Sequence, residues 1–151
     1  MSVEPTTQIS ARHPLGAVAA DETTCHTATM ETFHLVDTVL VVADGAIDAV
    51  NAAAFASYAL RDAGNAGSLV LDLTRLEFFG IEGFSALNTI SVRCASSNIR
   101  WAIATSPAVA RVLRVCDPAN AMPCASTLGA AQSMVQPEPE GRLLQLIPQT
   151  P

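Results

Sequence analysis

Four cysteines, three histidines and 14 acidic residues are the side chains on which chemistry would have to rest, and their spacing permits little. Cys25, Cys94, Cys116 and Cys124 stand far apart with no C-x-x-C pair, so neither a disulfide scaffold nor a zinc ribbon is indicated. Cys25, His26 and His34 are near one another, but zinc needs four well-placed ligands and this spacing fits no known pattern, so no metal or other cofactor is expected. Asp44 and Asp48 flank the turn into a helix and are expected to be caps and not an acid/base pair. All eight basic residues are Arg, which removes lysine-dependent chemistry. No phosphate-binding G-x-x-x-x-G-K, no G-x-S-x-G and no nucleophile with an evident base occurs, so an enzyme is not expected.

The charge balance narrows the partners. At a formal charge of −6 the chain lacks the basic face that displaces counterions from DNA or RNA, so a protein partner is expected and no nucleic acid. No apolar run approaches the ~20 residues of a membrane span, and the first residues lack a charged stretch followed by an apolar one. A cytoplasmic protein is the expectation. With 151 residues, half of them hydrophobic and 5% aromatic, one domain with a core of small aliphatic layers fits.

The elements that must position any site alternate in type. Thr29 to Leu35 and Thr38 to Ala43 read as an antiparallel hairpin turning at Val36 and Asp37, broken afterwards by Asp44 and Gly45. Ala52, Phe55, Ala56, Ala59 and Leu60 keep helical spacing, which predicts a helix over Asn51 to Ala63. Ser68 to Thr74 is a compact apolar run, expected to be the central strand covered on both faces. Ile81, Phe84, Leu87, Ile90 and Cys94 mark a second helix ending near Asn98, and Arg100 to Ala104 a further strand. Ser106 followed by Pro107 starts a third helix, with Val109, Val112, Leu113 and Cys116 on one face and Pro118 closing it. Met122 to Ala125 reads as a short strand, and Ser126 as the cap of a last helix with Leu128, Ala131 and Val135 inward. The order ββαβαβαβα predicts an α/β sandwich with a mixed sheet of about five strands and four helices.

Three pieces in this order, SLVLDLTRLEFFGIEGFSAL, IRWAIATSPAVARVLRVCD and STLGAAQSMV, resemble STAS domains of anti-sigma factor antagonists. The likeness spans about Val39 to Val135. Composition without a sustained period predicts a flexible arm over residues 1–23, and the prolines and glycine predict a Pro-rich tail over 136–151, so that the STAS domain is expected over 24–135. In that family the loop after the central strand reads Phe-Ile-Asp-Ser-Ser-Gly, and a partner kinase phosphorylates the second Ser. Here the Asp position holds Gly80, the first Ser position Ile81 and the phosphoacceptor position Glu82, while Gly83 and the preceding aromatic are kept. The resemblance implies partner contacts at Phe79, Gly80, Ile81, Glu82, Gly83 and Ser85, with Asp44 beside them. Glu82 either stands in for a permanent phosphate-like charge or simply stabilises the first helical turn.

The resemblance implies an anti-anti-sigma-like regulator that binds an anti-sigma factor or a related kinase-fold protein. The alternative is an accessory STAS subunit of a membrane transporter of the ABC or anion type. Cys94 and Cys116 fall on apolar stripes, where a thiol acts as a small hydrophobe; a reversible disulfide between Cys116 and Cys124 is the sharper alternative. Arg111 and Arg114 lie off the apolar face of the third helix. Ser2, Thr6 and Thr7 are where a kinase would reach the arm without unfolding anything.

Overall fold

The computed structural model describes residues 28–136 and, as backbone, residues 19–25. One sheet of six strands carries the fold, in the spatial order of the chain: β1 (Ala19–Cys25), β2 (Ala28–His34), β3 (Thr38–Ile47), β4 (Ser68–Phe79), β5 (Arg100–Ala104) and β6 (Cys124–Ala125). The first three strands are antiparallel neighbours, and β3 to β6 run parallel. Parallel neighbours require crossovers, supplied by α1 (Ala52–Arg61), α2 (Ile81–Ser96) and α3 (Pro107–Cys116); α4 (Leu128–Val135) follows β6. Among the described residues the mixed α/β sheet with four α-helices is the class expected from sequence, with β2 to β6 as the five expected strands.

The sixth strand, β1, takes in Ala19 to Thr23, which the sequence reading placed in the N-terminal arm. Its residues AADETTC have no alternating apolar pattern. What holds it is backbone pairing to β2, from Ala19 opposite Phe33 to Cys25 opposite Ala28, and a ladder of main-chain groups leaves no signature in side-chain type. The remainder of that arm, with Ser2, Thr6 and Thr7, and the tail beyond Gln136 lie outside the described residues.

β4 is the structural axis. Ser68 to Leu73 are all buried, and Ser68 to Asp72 pair with β3 on one side and β5 on the other. Leu69, Leu71 and Leu73 face the larger core together with Phe55, Leu87, Ile90 and Val109 from the helices, whereas Val70 faces a smaller core with Phe33, Leu40, Ala131 and Val135. Each such aliphatic side chain contributes about 1.5–3 kcal/mol by leaving water. Tyr58, buried on α1, accepts a hydrogen bond from Thr32 Oγ1 at 2.9 Å and so fastens α1 across β3 to β2.

Both β3 and β4 run further than the sequence suggests. Asp44 and Gly45 do not end β3, which continues to Ile47 with Gly45 at φ 111°, a conformation that glycine adopts without steric cost. Opposite it, β4 advances three residues (Asp72 to Arg75) while β3 advances two (Val42 to Asp44), and two (Leu76 to Phe78) while β3 advances one. These bulges change the side-chain period, so that Leu73, Leu76 and Phe79 are the buried positions.

The helix ends follow local chemistry. Ser106 Oγ accepts from Val109 N–H at 3.2 Å, with Pro107 at the first helical position, as expected. The last helix differs: Thr127, not Ser126, is its cap, with Oγ1 accepting from Ala130 N–H at 3.1 Å. The last-named strand is also shorter than Met122 to Ala125, since only Cys124 and Ala125 pair with β5. Among the described residues no helix is long and apolar enough to cross a membrane.

Leu71 sits in the central strand with no exposed surface. Leu71→Ala is expected to lower unfolding stability in urea by about 2–5 kcal/mol through lost burial and a residual cavity. Val92→Ala, at a helix position 66% exposed, should change it by less than ~0.5 kcal/mol.

Candidate functional site

The expected loop after the central strand is one residue long. β4 ends at Phe79, α2 begins at Ile81, and only Gly80 lies between them. Gly80 N–H donates to Ile47 O at 2.9 Å, which ties the end of β4 to the end of β3, and Gly83 N–H donates back to Gly80 O at 2.9 Å to close the first helical turn. Glu82 is the acidic residue of that turn and is exposed. Its carboxylate folds back over the Gly80 α-carbon: a Cβ there would lie 2.8 Å from Glu82 Oε1. Gly80 thus leaves space for a carboxylate, its own φ of −84° being open to any residue.

Gly83 has a stricter reason. A Cβ at that position would stand 2.5 Å from two carbons of the Phe79 ring. Phe79, only 3% exposed, is packed directly against the glycine and anchors α2 to the core. Phe79 and Gly83, both expected among the partner contacts, are buried here and support the turn from inside. The outward-facing ring is Phe78, 53% exposed, and it is joined by Ile81 at 68% and Val50 at 64%. Phe78 and Ile81 flank Gly80 beside Glu82, at the end of β4 and the start of α2, and Val50 follows the end of β3 by three residues. Ser85 is exposed one turn further along α2.

The other expected site residue, Asp44, lies inside β3 in register with Arg75 and not at the turn, because the strand continues past it. Asp48 does take the cap-like role: its Oδ1 accepts from Val50 N–H at 3.0 Å and Asn51 N–H at 3.3 Å. Asn51 reciprocates, its Oδ1 accepting from Asp48 N–H at 2.9 Å and its Nδ2 donating to Ala46 O at 3.0 Å. Sequence reasoning missed Asn51, although an acidic residue three positions before an Asn at a helix start is a legible signal.

Beside this turn a groove of about 700 Å³ runs between α1 and α2. Ala53, Ser57, Ser85 and Thr89 line its length, with Glu82, Arg61 and Arg93 also on its walls. None of Ser57, Thr89 or Arg93 had been singled out from sequence, since exposed helix positions of these types carry no pattern of their own.

The remaining candidates do not converge on the site. Among the described residues no group of three potential metal ligands occurs; the side chains of Cys25 and His26 lie outside them. His34 Nε2 is 3.5 Å from Asp62 Oδ2 at the far end of α1. Arg111 and Arg114 are exposed on α3, as expected. Cys94 is fully buried on α2, and burial pushes its thiol from the ordinary 9.0 to about 11. Cys116 and Cys124 are both free thiols. Burial first, and the Asp117 carboxylate second, raise the Cys124 thiol above its ordinary value, which opposes formation of the attacking thiolate.

Comparison with known proteins places this geometry. The family model described as STAS domain matches residues 29–131. An anti-sigma factor antagonist from Mycobacterium paratuberculosis superposes with a TM-score of 0.66 at 22% identity, over 75% of this chain and 97% of the other. A serine-to-glutamate variant of RsbS from Moorella thermoacetica gives a TM-score of 0.59 at 18% identity, over 77% and 97%. At these identities the likeness is one of fold. The Osmosensory protein A of Mycobacterium tuberculosis is 32% identical over 80 residues, which are 53% of this chain and 50% of that protein. The chain thus spans about half the length of this curated relative.

Two outcomes test the packing. Helix propensity alone would make Gly83→Ala stabilising by about 1 kcal/mol, but the Phe79 ring leaves no room. The expected result in urea denaturation is a loss of about 1–3 kcal/mol, and a gain would refute the ring-on-glycine contact. For Cys94, the folded-state pKa is raised, so its contribution to stability is intact below pH 9 and is lost as pH rises towards 11. Alkaline denaturation of wild type against Cys94→Ala should show that difference, and iodoacetamide mapped by mass spectrometry should label Cys124 in the native protein and Cys94 only after unfolding.

Proposed function

Because the chain belongs to the STAS domain family, we propose that it is a regulatory protein-binding module of the anti-sigma factor antagonist kind, docking a kinase-fold anti-sigma protein. The observation that carries this reading is the exposed pair Phe78 and Ile81 beside Glu82, with Val50 also exposed in the turn after β3. Large apolar side chains held this far out of the core, grouped with a charge beside the ends of the parallel strands, are the composition of a docking patch. In α/β sheets the carboxyl ends of parallel strands are also where partners and ligands usually approach.

Glu82 occupies the position at which the family carries its phosphoacceptor serine, and it brings one negative charge where a phosphate would bring about −1.5 to −2. The module therefore binds in a state that a kinase does not reset at this residue. The likeness to a protein named for osmosensing makes regulators of osmotic stress the first candidates for the partner. A protein of this kind acts in the cytoplasm and by binding, without turnover.

The test is isothermal titration of this chain against the purified kinase-fold anti-sigma proteins of its own host. One of them is expected to bind, and Ile81→Asp to weaken it at least tenfold, about 1.4 kcal/mol or more. Glu82→Ala and Glu82→Ser should both alter affinity if the charge is read by the partner. Binding by none of those proteins, or binding indifferent to Ile81→Asp, would overturn the proposal.

A further inference from the structure

We propose that the groove between α1 and α2 seats an α-helix of the protein partner, antiparallel to α2, with its acidic first turn at Arg93 and Arg61 and its basic last turn at Glu82. This rests on the reading of the chain as a protein-binding module and specifies what lies beside the apolar patch.

The direction of the groove follows from topology. α1 and α2 follow two adjacent parallel strands, so both run back along the sheet the same way and start side by side at the Gly80 to Ile47 hydrogen bond. Glu82 therefore marks one end of the groove. Arg61, last residue of α1, and Arg93, near the end of α2, mark the other. Glu82 and Arg93 are eleven positions apart on α2, about 16 Å at 1.5 Å per residue. That is three turns, close to the mean helix length in globular proteins.

Its cross-section also suits a helix. Ala52, Ala56 and Ala86, almost fully buried, make the floor, and Ala53, Ser57, Ser85 and Thr89 make the walls. Leu60, half-buried, lines the groove beside Arg61, and between there and Glu82 no lining side chain is larger than threonine, so a helix could approach to the 8–10 Å separation of packed helices. A volume of about 700 Å³ open to solvent along the helices accepts one face of a helix with small side chains and leaves its other face in solvent.

Charge fixes the orientation. Helices generally carry acids in the first turn and bases in the last, complementing their dipoles. Laid antiparallel to α2, such a helix meets Arg93 and Arg61 with its acids and Glu82 with its bases, and its dipole opposes those of α1 and α2. Laid parallel, it sets like charges against each other at both ends. Arg61 is partly engaged, 3.4 Å from Asp62 and 4.7 Å over the Tyr58 ring. Arg93 has no ion pair among the described residues and is the stronger determinant.

The experiment uses a fluorescein-labelled, hydrocarbon-stapled 14-residue helix with Ala and Ser on one face, Asp in the first turn and Arg in the last. A second peptide has these end charges exchanged. Fluorescence anisotropy with the full chain should show the first peptide binding at least tenfold tighter than the second. Ala53→Trp, at an exposed groove position, should cost at least tenfold, and the double variant Glu82→Arg, Arg93→Glu should invert the preference, with circular dichroism confirming that each variant is folded. Equal affinity for the two peptides, no binding of either, or indifference to Ala53→Trp would overturn the proposal, as would sedimentation showing that a second copy of the chain fills the groove. The two readings fail separately. If a kinase-fold protein binds wild type and Ala53→Trp alike but not Ile81→Asp, the docking patch stands without the groove. If the peptide results hold and no kinase-fold protein binds, the groove stands without that partner.

Discussion

Glu82 is held in place by a ring that must stay in the core and a residue that must not acquire a side chain. Phe79 is the last residue of β4 and is buried; Gly83, the third of α2, lies against its ring with no room for a methyl group. With a single residue between strand and helix, and that residue bonded to Ile47, the start of α2 has no freedom to shift. The positions of Ile81, Glu82 and Ser85, and hence both the patch and the groove, follow from this one contact. A bulkier residue at 83 would have to lift the helix or expel the ring, and either move would displace every group proposed to meet a partner.

The sheet distributes its faces unequally. Three helices cover the side to which Leu69, Leu71 and Leu73 point, while α4 packs on the other beside Val70, Ala102 and Ala104. The crowded side is where α1 and α2 lie, and it is there that small residues leave space at the surface above a fully packed interior. Stability and recognition are thus separated by depth: phenylalanine and the branched aliphatics fill the lower layer, and alanine, serine and threonine shape the upper one. The high alanine content that lowers the volume of the core also leaves the groove outside it lined mainly by small side chains.

What was legible in the sequence was whatever repeated. The helical spacing of Phe55, Ala56 and Ala59, or of Leu87, Ile90 and Cys94, recurs over several turns, and the run Ser68 to Thr74 is apolar on both faces because both are covered. Together with the family resemblance this gave the architecture. Single-residue geometry was not legible. That β3 passes through Asp44 and Gly45 depends on bulges in β4, which shift burial to Leu76 and Phe79 and leave Phe78 outside. A strict two-residue alternation would continue 69, 71, 73 to 77, a position the structure exposes. Ser126 and Thr127 offer the same hydroxyl one position apart, and only backbone geometry decides between them. β1 pairs through its backbone, which composition does not report.

The magnitude of the charge effect separates the two roles of Glu82. An exposed carboxylate in the first turn stabilises a helix by only about 0.3–1 kcal/mol. The same turn is already held by the buried Phe79 ring, the hydrogen bond to Ile47 and the turn closed by Gly83, so the helix start does not depend on the charge. A carboxylate that is dispensable for its own helix, exposed, and bordered by Phe78 and Ile81 is free to be read from outside. On the proposed reading, a phosphoserine there would come and go with kinase and phosphatase, whereas a glutamate would not. Control over the proposed binding would then act elsewhere, on the supply of the partner or on the surfaces that flank this turn, and the opposite charges along the α1/α2 groove are the nearest of those surfaces.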